Sequence, residues 1–172
     1  MTPSGHVGAS ILATYIIEGC VLGNEVTPLA LGVSALVGLL PDMDGLIAMA
    51  IKRQRPSQQK LRHHQFASHT PIFYLLMTLG ISRIVPVHLT ALFGMLTFLH
   101  LFLDSWSTDD GIMWLWPFNR RQLALFPRNL HAGGAHGLAF YRRHVRCWRI
   151  IVPEILLLAG GTALAYHTLM AV

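Results

Sequence analysis

His100 and Asp104 stand four residues apart at the end of an apolar run. On a helix that spacing puts an imidazole and a carboxylate on one face, where together they can bind a cation. A carboxylate there costs several kcal/mol unless a partner or a metal compensates it; a plain His–Asp hydrogen bond, or capping by Asp104, is the alternative. Gly38-Leu-Leu-Pro-Asp42-Met-Asp44-Gly45 is a second such place. Side chains two apart on a regular helix diverge, but Pro41 breaks the helix and can turn both carboxylates inward. An ordinary Pro-Asp turn accounts for one Asp and poorly for two. The run His63-His64-Gln-Phe-Ala-Ser68-His69-Thr70-Pro71 adds imidazoles beside a helix start at Pro71, which Ser68 or Thr70 can cap. His6 lies near the start of the chain and reads as a surface residue or a ligand.

These residues need elements to hold them. Apolar stretches run from about residue 7 to 22, 29 to 51, 71 to 81, 87 to 103 and 150 to 171. A bilayer span takes about 20 apolar residues, so the second and fifth are long enough. The first and fourth are marginal, and the third is short. With 53% hydrophobic and 12% charged residues, the chain has too few charges to cover a water-soluble surface, where roughly 25% is usual. The expectation is one all-α, multi-helix membrane bundle over residues 1–172, against the alternative of a soluble bundle with a very apolar core.

Charge placement orients the bundle. Lys52, Arg53, Arg55, Lys60 and Arg62 fall in one connection; Arg120, Arg121, Arg128, Arg142, Arg143, Arg146 and Arg149 fall in another. The positive-inside bias places both in the cytoplasm, with stretches three and four as a hairpin between them. The N-terminus is then inside and residues 23–27 outside. His6, Asp42, Asp44, His64, His69, His100 and Asp104 all come to the cytoplasmic helix ends, the candidate metal ligands. Mixed imidazole and carboxylate donors suit zinc, manganese or iron rather than calcium.

The pI near 9.8 invites a nucleic-acid reading, but no recognised module accompanies it, and basic residues beside apolar helices mark topology and anionic headgroups. Membrane lipids, an anionic or lipid-linked substrate and a protein partner are the expected contacts; nucleic acid is not. Cys20 and Cys147 form no disulfide or zinc-ribbon pattern. Trp106, Trp114, Trp116 and Trp148 read as interfacial anchors. Glu18 is intramembrane, a functional candidate or a helix–helix hydrogen bond. Glu154 could serve as a further acidic ligand in principle, but reads first as a lone polar residue near a helix start.

In order and spacing, His6 with Gly8, the Gly38–Asp44 segment, His64-x-x-x-Ser-His69-Thr, His100-x-x-x-Asp104, Thr108, Gly111 and Trp116-Pro117 resemble the YdjM family. This family is also labelled LexA-binding, inner-membrane-associated hydrolase, and the resemblance covers roughly residues 1 to 117. The family is in turn similar to zinc-dependent phospholipase C and S1/P1 nuclease. That likeness implies Asp42, His69, His100 and Asp104 as ligands, Asp104 bridging, with His6 and His64 adding to the site. Asp42 and Asp104 are the catalytic candidates. The phospholipase and nuclease group carries a later His-x-x-x-Glu, whereas His131, His136 and His144 have no acidic residue four positions on, so one or two divalent ions are expected, zinc first. The implied activity is a membrane-bound hydrolase acting on a phosphodiester or other ester at the cytoplasmic surface of the inner membrane. A structural or sensing metal site, an adaptor, and a small ion transporter are the alternatives.

Overall fold

The computed structural model describes residues 1–45, 47, 63–107, 111–125, 142 and 144–171. The basic positions Lys52, Arg53, Arg55, Lys60, Arg62, Arg128 and Arg143, together with Thr108, His131 and His136, lie outside these residues.

The chain is all-helical. Pro3–Thr14 forms α1 and continues without a break into a π-helical stretch, Tyr15–Val21. Pro28–Leu39 forms α2, Pro71–Ile81 α3, Val87–Ser107 α4 and Trp148–Met170 α5. Proline opens α1, α2 and α3, where its missing N–H is no loss. Among the described residues the one β feature is an isolated antiparallel bridge between Ile112 and Leu123.

Pro41 shapes the site. It cannot supply an amide to a continuing helix, so α2 ends at Leu39 and passes into a 3₁₀ turn, Leu40–Asp42. Residues 43–45 and 47 are helical again, and the rest of the second apolar stretch lies outside the described residues. Among the described residues, two helices are long and apolar enough to cross a membrane: α4, of 21 residues, and α5, of 23. The fourth stretch, marginal from sequence, gains its length because its helix continues through Asp104 to Ser107.

Burial is inverted relative to a water-soluble domain. The buried residues are mostly polar, among them His6, Ser10, Thr14, Ser34, His69, Thr97, His100, Asp104 and Glu154. Large apolar side chains face outward on several helices, including Leu29 and Leu36 of α2, Leu76 and Leu79 of α3, Met95 and Phe102 of α4, and Leu156 and Leu169 of α5. Hydrocarbon outside and hydrogen-bonding groups inside is the arrangement a lipid solvent rewards.

Where helices meet, small residues bring their backbones close. Gly8 of α1 and Gly161 of α5 face each other so closely that a Cβ on Gly161 would stand 2.7 Å from the Gly8 carbonyl oxygen, and one on Gly8 would stand 2.4 Å from that of Leu157. The successive helices run alternately, so the start of α1, the end of α2, the starts of α3 and α5 and the end of α4 share one end of the bundle. At that end a small apolar cluster of Tyr74, Leu101 and Ile112 supports the polar residues.

Candidate metal centre

Asp104 is the hub of this end. One helical turn after His100 on α4, it is almost wholly buried. Its Oδ2 lies 3.1 Å from His100 Nε2, 3.2 Å from His69 Nε2 and 3.5 Å from His64 Nε2. Its Oδ1 lies 3.1 Å from His6 Nε2 and 2.5 Å from the Met1 amine. Asp42 enters from the 3₁₀ turn after α2, with its Oδ1 3.5 Å from His100 Nε2. One donor atom from each of Asp42, His69, His100 and Asp104 lies within 4.8 Å of the others. Two imidazoles and two carboxylates at that separation fit a divalent ion of the zinc, manganese or iron type.

Backbone carbonyls fix which imidazole nitrogen faces the carboxylates. A carbonyl oxygen only accepts, so His100 donates its Nδ1–H to Gly38 O at 2.6 Å and turns Nε2 toward Asp42 and Asp104. Gly38 can present that carbonyl because its Cα faces Ser10 of α1; a Cβ would fall 1.9 Å from the Ser10 hydroxyl. His69 likewise donates Nδ1–H, shared between Pro41 O at 3.1 Å and Asp44 Oδ2 at 3.3 Å. Orienting a ligating imidazole through its second nitrogen is the usual outer-shell device of metal sites. His6 completes the group by stacking on His100, ring centroids 3.6 Å apart and 14° from parallel.

All seven sequence-derived candidates therefore meet at one end. Six face Asp104 or His100 directly or are Asp104 and His100 themselves. Asp44 does not: it stands behind His69 and accepts the Ser68 hydroxyl at 3.0 Å. Its geometry is that of a residue that orients His69. Replacing Asp44 with alanine is expected to weaken zinc binding by roughly 10–100-fold without changing the stoichiometry. Isothermal titration in detergent would show this, and lost stoichiometry would instead make Asp44 a ligand.

His69 precedes α3 in the 3₁₀ turn Ala67–His69. Burial disfavours its charged form, but hydrogen bonds to Asp104 and Asp44 and their charges outweigh that cost and raise its pKa to about 9. A pKa raised above 6.5 stabilises the metal-free fold fully below pH 6.5, and that contribution is lost as pH rises through about 9. A metal must displace the same proton. Zinc affinity is thus expected to climb between pH 6.5 and 9 while the metal-free protein loses stability over the same window. Parallel zinc titrations and thermal melts would check the opposed slopes; zinc affinity flat across the window would remove His69 from the ligand set.

The hydroxyls before α3 are used differently from the capping expected of them. Thr70 holds the N-cap position by its backbone, but its side chain turns back to Ala67 O at 2.6 Å, and Ser68 serves Asp44. Glu18, an intramembrane candidate, accepts Asn24 Nδ2 at 2.6 Å and so closes the π-helical stretch locally.

One participant was misread in the sequence. Glu154 is not a lone helix-start carboxylate: it accepts from Thr2 N at 2.7 Å and Thr2 Oγ1 at 3.1 Å, and pairs with His144 Nε2 at 2.9 Å. The pair is buried and ties the start of α1 to α5, which positions His6. Ten residues and a helix start separate His144 from Glu154, so no periodic spacing announces them.

No curated protein and no solved structure matches the chain, so the distant likeness to the phospholipase C and nuclease group stays an expectation from sequence. A family model does match. That of the YdjM inner membrane protein covers residues 1–170, nearly the whole chain with every residue of the cluster, and the chain belongs to that family.

Proposed function

We propose that this chain is a membrane-bound, metal-dependent hydrolase acting on a phosphodiester or other ester at the cytoplasmic membrane surface. The observation that carries this reading is the division of the Asp104 carboxylate, Oδ2 facing His69, His100 and His64 and Oδ1 facing His6. A carboxylate with a separate donor set on each oxygen suits a bridge between two ions. Asp42, His69, His100 and Asp104 would hold the first, with His64 beside them on the Oδ2 side, zinc by preference and manganese or iron otherwise; His6 and the Oδ1 of Asp104 would contribute to a second. When bound, the metal supplies Lewis acidity toward the ester oxygen and lowers the pKa of a water.

The chain's own residues do the rest. The carbonyls of Gly38 and Pro41 hold the imidazoles in place, and burial of His6, His69, His100 and Asp104 excludes bulk water. Asp42 is the most exposed of the four donors, its side chain 21% accessible, and is the carboxylate placed to meet an incoming substrate and to accept a proton. Gathering the donors at one bundle end supports a surface reaction over an ion path, which needs ligands through the bilayer depth. The cytoplasmic assignment rests on the positive-inside bias of the two connections joining helix ends on the cluster side.

A second reading has its own support: four protein donors form a complete tetrahedral shell, the mark of a structural zinc. Cobalt substitution separates the two. A visible spectrum that changes on adding phosphate requires an open position, and turnover of bis(p-nitrophenyl) phosphate that disappears in His100→Ala completes the case. A stoichiometric ion whose spectrum ignores phosphate, with no turnover of phosphodiesters or carboxyl esters, would leave the structural reading standing.

A further inference from the structure

The segment that follows α4 presents a surface the cluster does not use. Residues 111–125 fold back on themselves, Ile112 and Leu123 exchanging backbone hydrogen bonds of 3.1 and 2.9 Å. Trp114 Nε1 donates to Ser105 Oγ at 2.7 Å, and Leu125 N donates to Ser105 O at 2.7 Å. Ser105 adjoins Asp104, so this lobe hangs from the helix that carries the hub. Gln122 also accepts from Gln65, one residue past His64, at 3.0 Å. Ile112 is wholly buried in the apolar cluster with Tyr74 and Leu101.

The lobe is thus rigidly mounted, yet its tip is apolar and open. Phe118 is 93% exposed and Leu115 58%, while Arg120 and Arg121, which follow Phe118 after one intervening residue, are exposed too. Holding a phenylalanine in water on a braced turn gains nothing for folding. An apolar tip with arginines beside it matches the boundary between acyl chains and anionic headgroups. Position agrees, because α4 has a bilayer-spanning length of 21 residues and ends at Ser107.

We propose that residues 111–125 form a lipid-seating lobe: Phe118 and Leu115 enter the leaflet nearest the metal centre, and Arg120 and Arg121 bind an anionic phospholipid headgroup beside it. The lobe stands on the membrane placement of the family. Delivery of that phospholipid to the cluster as a substrate would rest in addition on the hydrolase reading.

The test uses the full chain in nanodiscs of phosphatidylcholine with and without phosphatidylglycerol. A nitroxide is placed at position 118 in a Cys20→Ser, Cys147→Ser background, with zinc content equal to wild type verifying the fold. Contact with dissolved oxygen and shielding from an aqueous nickel chelate is the expected result. Free access of the chelate, as for a label in water, overturns insertion. Shielding from both, with dipolar broadening or a bound protein, assigns the tip to a second copy or a soluble partner and overturns it equally. For the headgroup, Arg120→Ala and Arg121→Ala are each expected to lower the retention of phosphatidylglycerol over phosphatidylcholine by about fivefold; unchanged retention overturns that assignment. Both readouts are repeated on chelator-treated protein. Insertion and lipid preference that persist there, beside a chain that hydrolyses nothing when loaded with metal, would sink the hydrolase reading and leave the lobe standing.

Discussion

Replacing Asp104 with alanine is expected to abolish metal binding, lowering affinity by far more than the roughly 100-fold that marks the loss of an outer-shell partner. The side chain offers both oxygens to the cluster, so its removal takes a donor from the His69 and His100 side and from the His6 side at once. No other residue in the cluster has that reach: deleting His100 leaves Asp42, His69 and Asp104 in place. The metal-free protein suffers as well. His6, His69 and His100 lose a buried partner together, and a buried polar group left unsatisfied costs about 1–3 kcal/mol. Asp104→Asn separates the two effects, because the amide keeps the shape and a hydrogen bond while removing the charge. Elemental analysis of purified protein should give no stoichiometric metal for either variant, with thermal stability recovered in part by asparagine. Metal retained at wild-type stoichiometry in Asp104→Ala would end its role as the hub.

The cluster was legible in the sequence because its members obey local rules. His100 and Asp104 share a helix face by their spacing, Pro41 marks where α2 must stop, and Pro71 marks where α3 begins. Each rule needs only neighbouring residues, and the apolar runs between them say which helix ends meet. The misreadings arose where the answer depends on packing. Asp44 and Asp42 look alike in sequence, and only the approach of His69 from another element gives one of them an outer role. Glu154 and His144 find each other across a helix start with no periodicity to signal it. Pro41 puts a 3₁₀ turn between α2 and the helical residues 43–45, a local change of backbone that hydropathy, continuous through Pro41, does not register. The basic connection at residues 52–62 bears on the orientation of the bundle by its charge alone, since it lies outside the described residues.

The polar interior makes the fold and the centre depend on one another. In a lipid solvent apolar side chains gain little by facing inward, so helices associate through close backbone approach and hydrogen bonds. Gly8 and Gly161 provide the first, and Glu154 with Thr2 the second. The same contacts hold α1 where His6 can reach Asp104 and stack on His100. Packing between α1 and α5 is therefore part of the site, although α5 supplies none of the four grouped donors.

Two adjacent glycines of α5 put that dependence to the test. Gly160→Ala is expected to be neutral or to stabilise by up to about 1 kcal/mol, since a Cβ there meets nothing within 4 Å and alanine is the better helix former. Gly161→Ala is expected to destabilise by about 1–3 kcal/mol, the usual cost of forcing atoms into a filled interior. Its Cβ would stand 2.7 Å from Gly8 O and 2.8 Å from Gly8 Cα, and neither backbone atom can swing aside as a side chain can. The two helices must separate, and α1 carries His6 with it, only two residues from Gly8. The Gly161 variant should therefore also bind metal more weakly on the Oδ1 side of Asp104, while His69 and His100, held by the carbonyls of Pro41 and Gly38, keep their positions. Thermal unfolding in detergent reads the first effect and metal titration the second. Equal behaviour of the two alanine variants would mean that α1 and α5 are not held at backbone contact, and the positioning of His6 would need another cause.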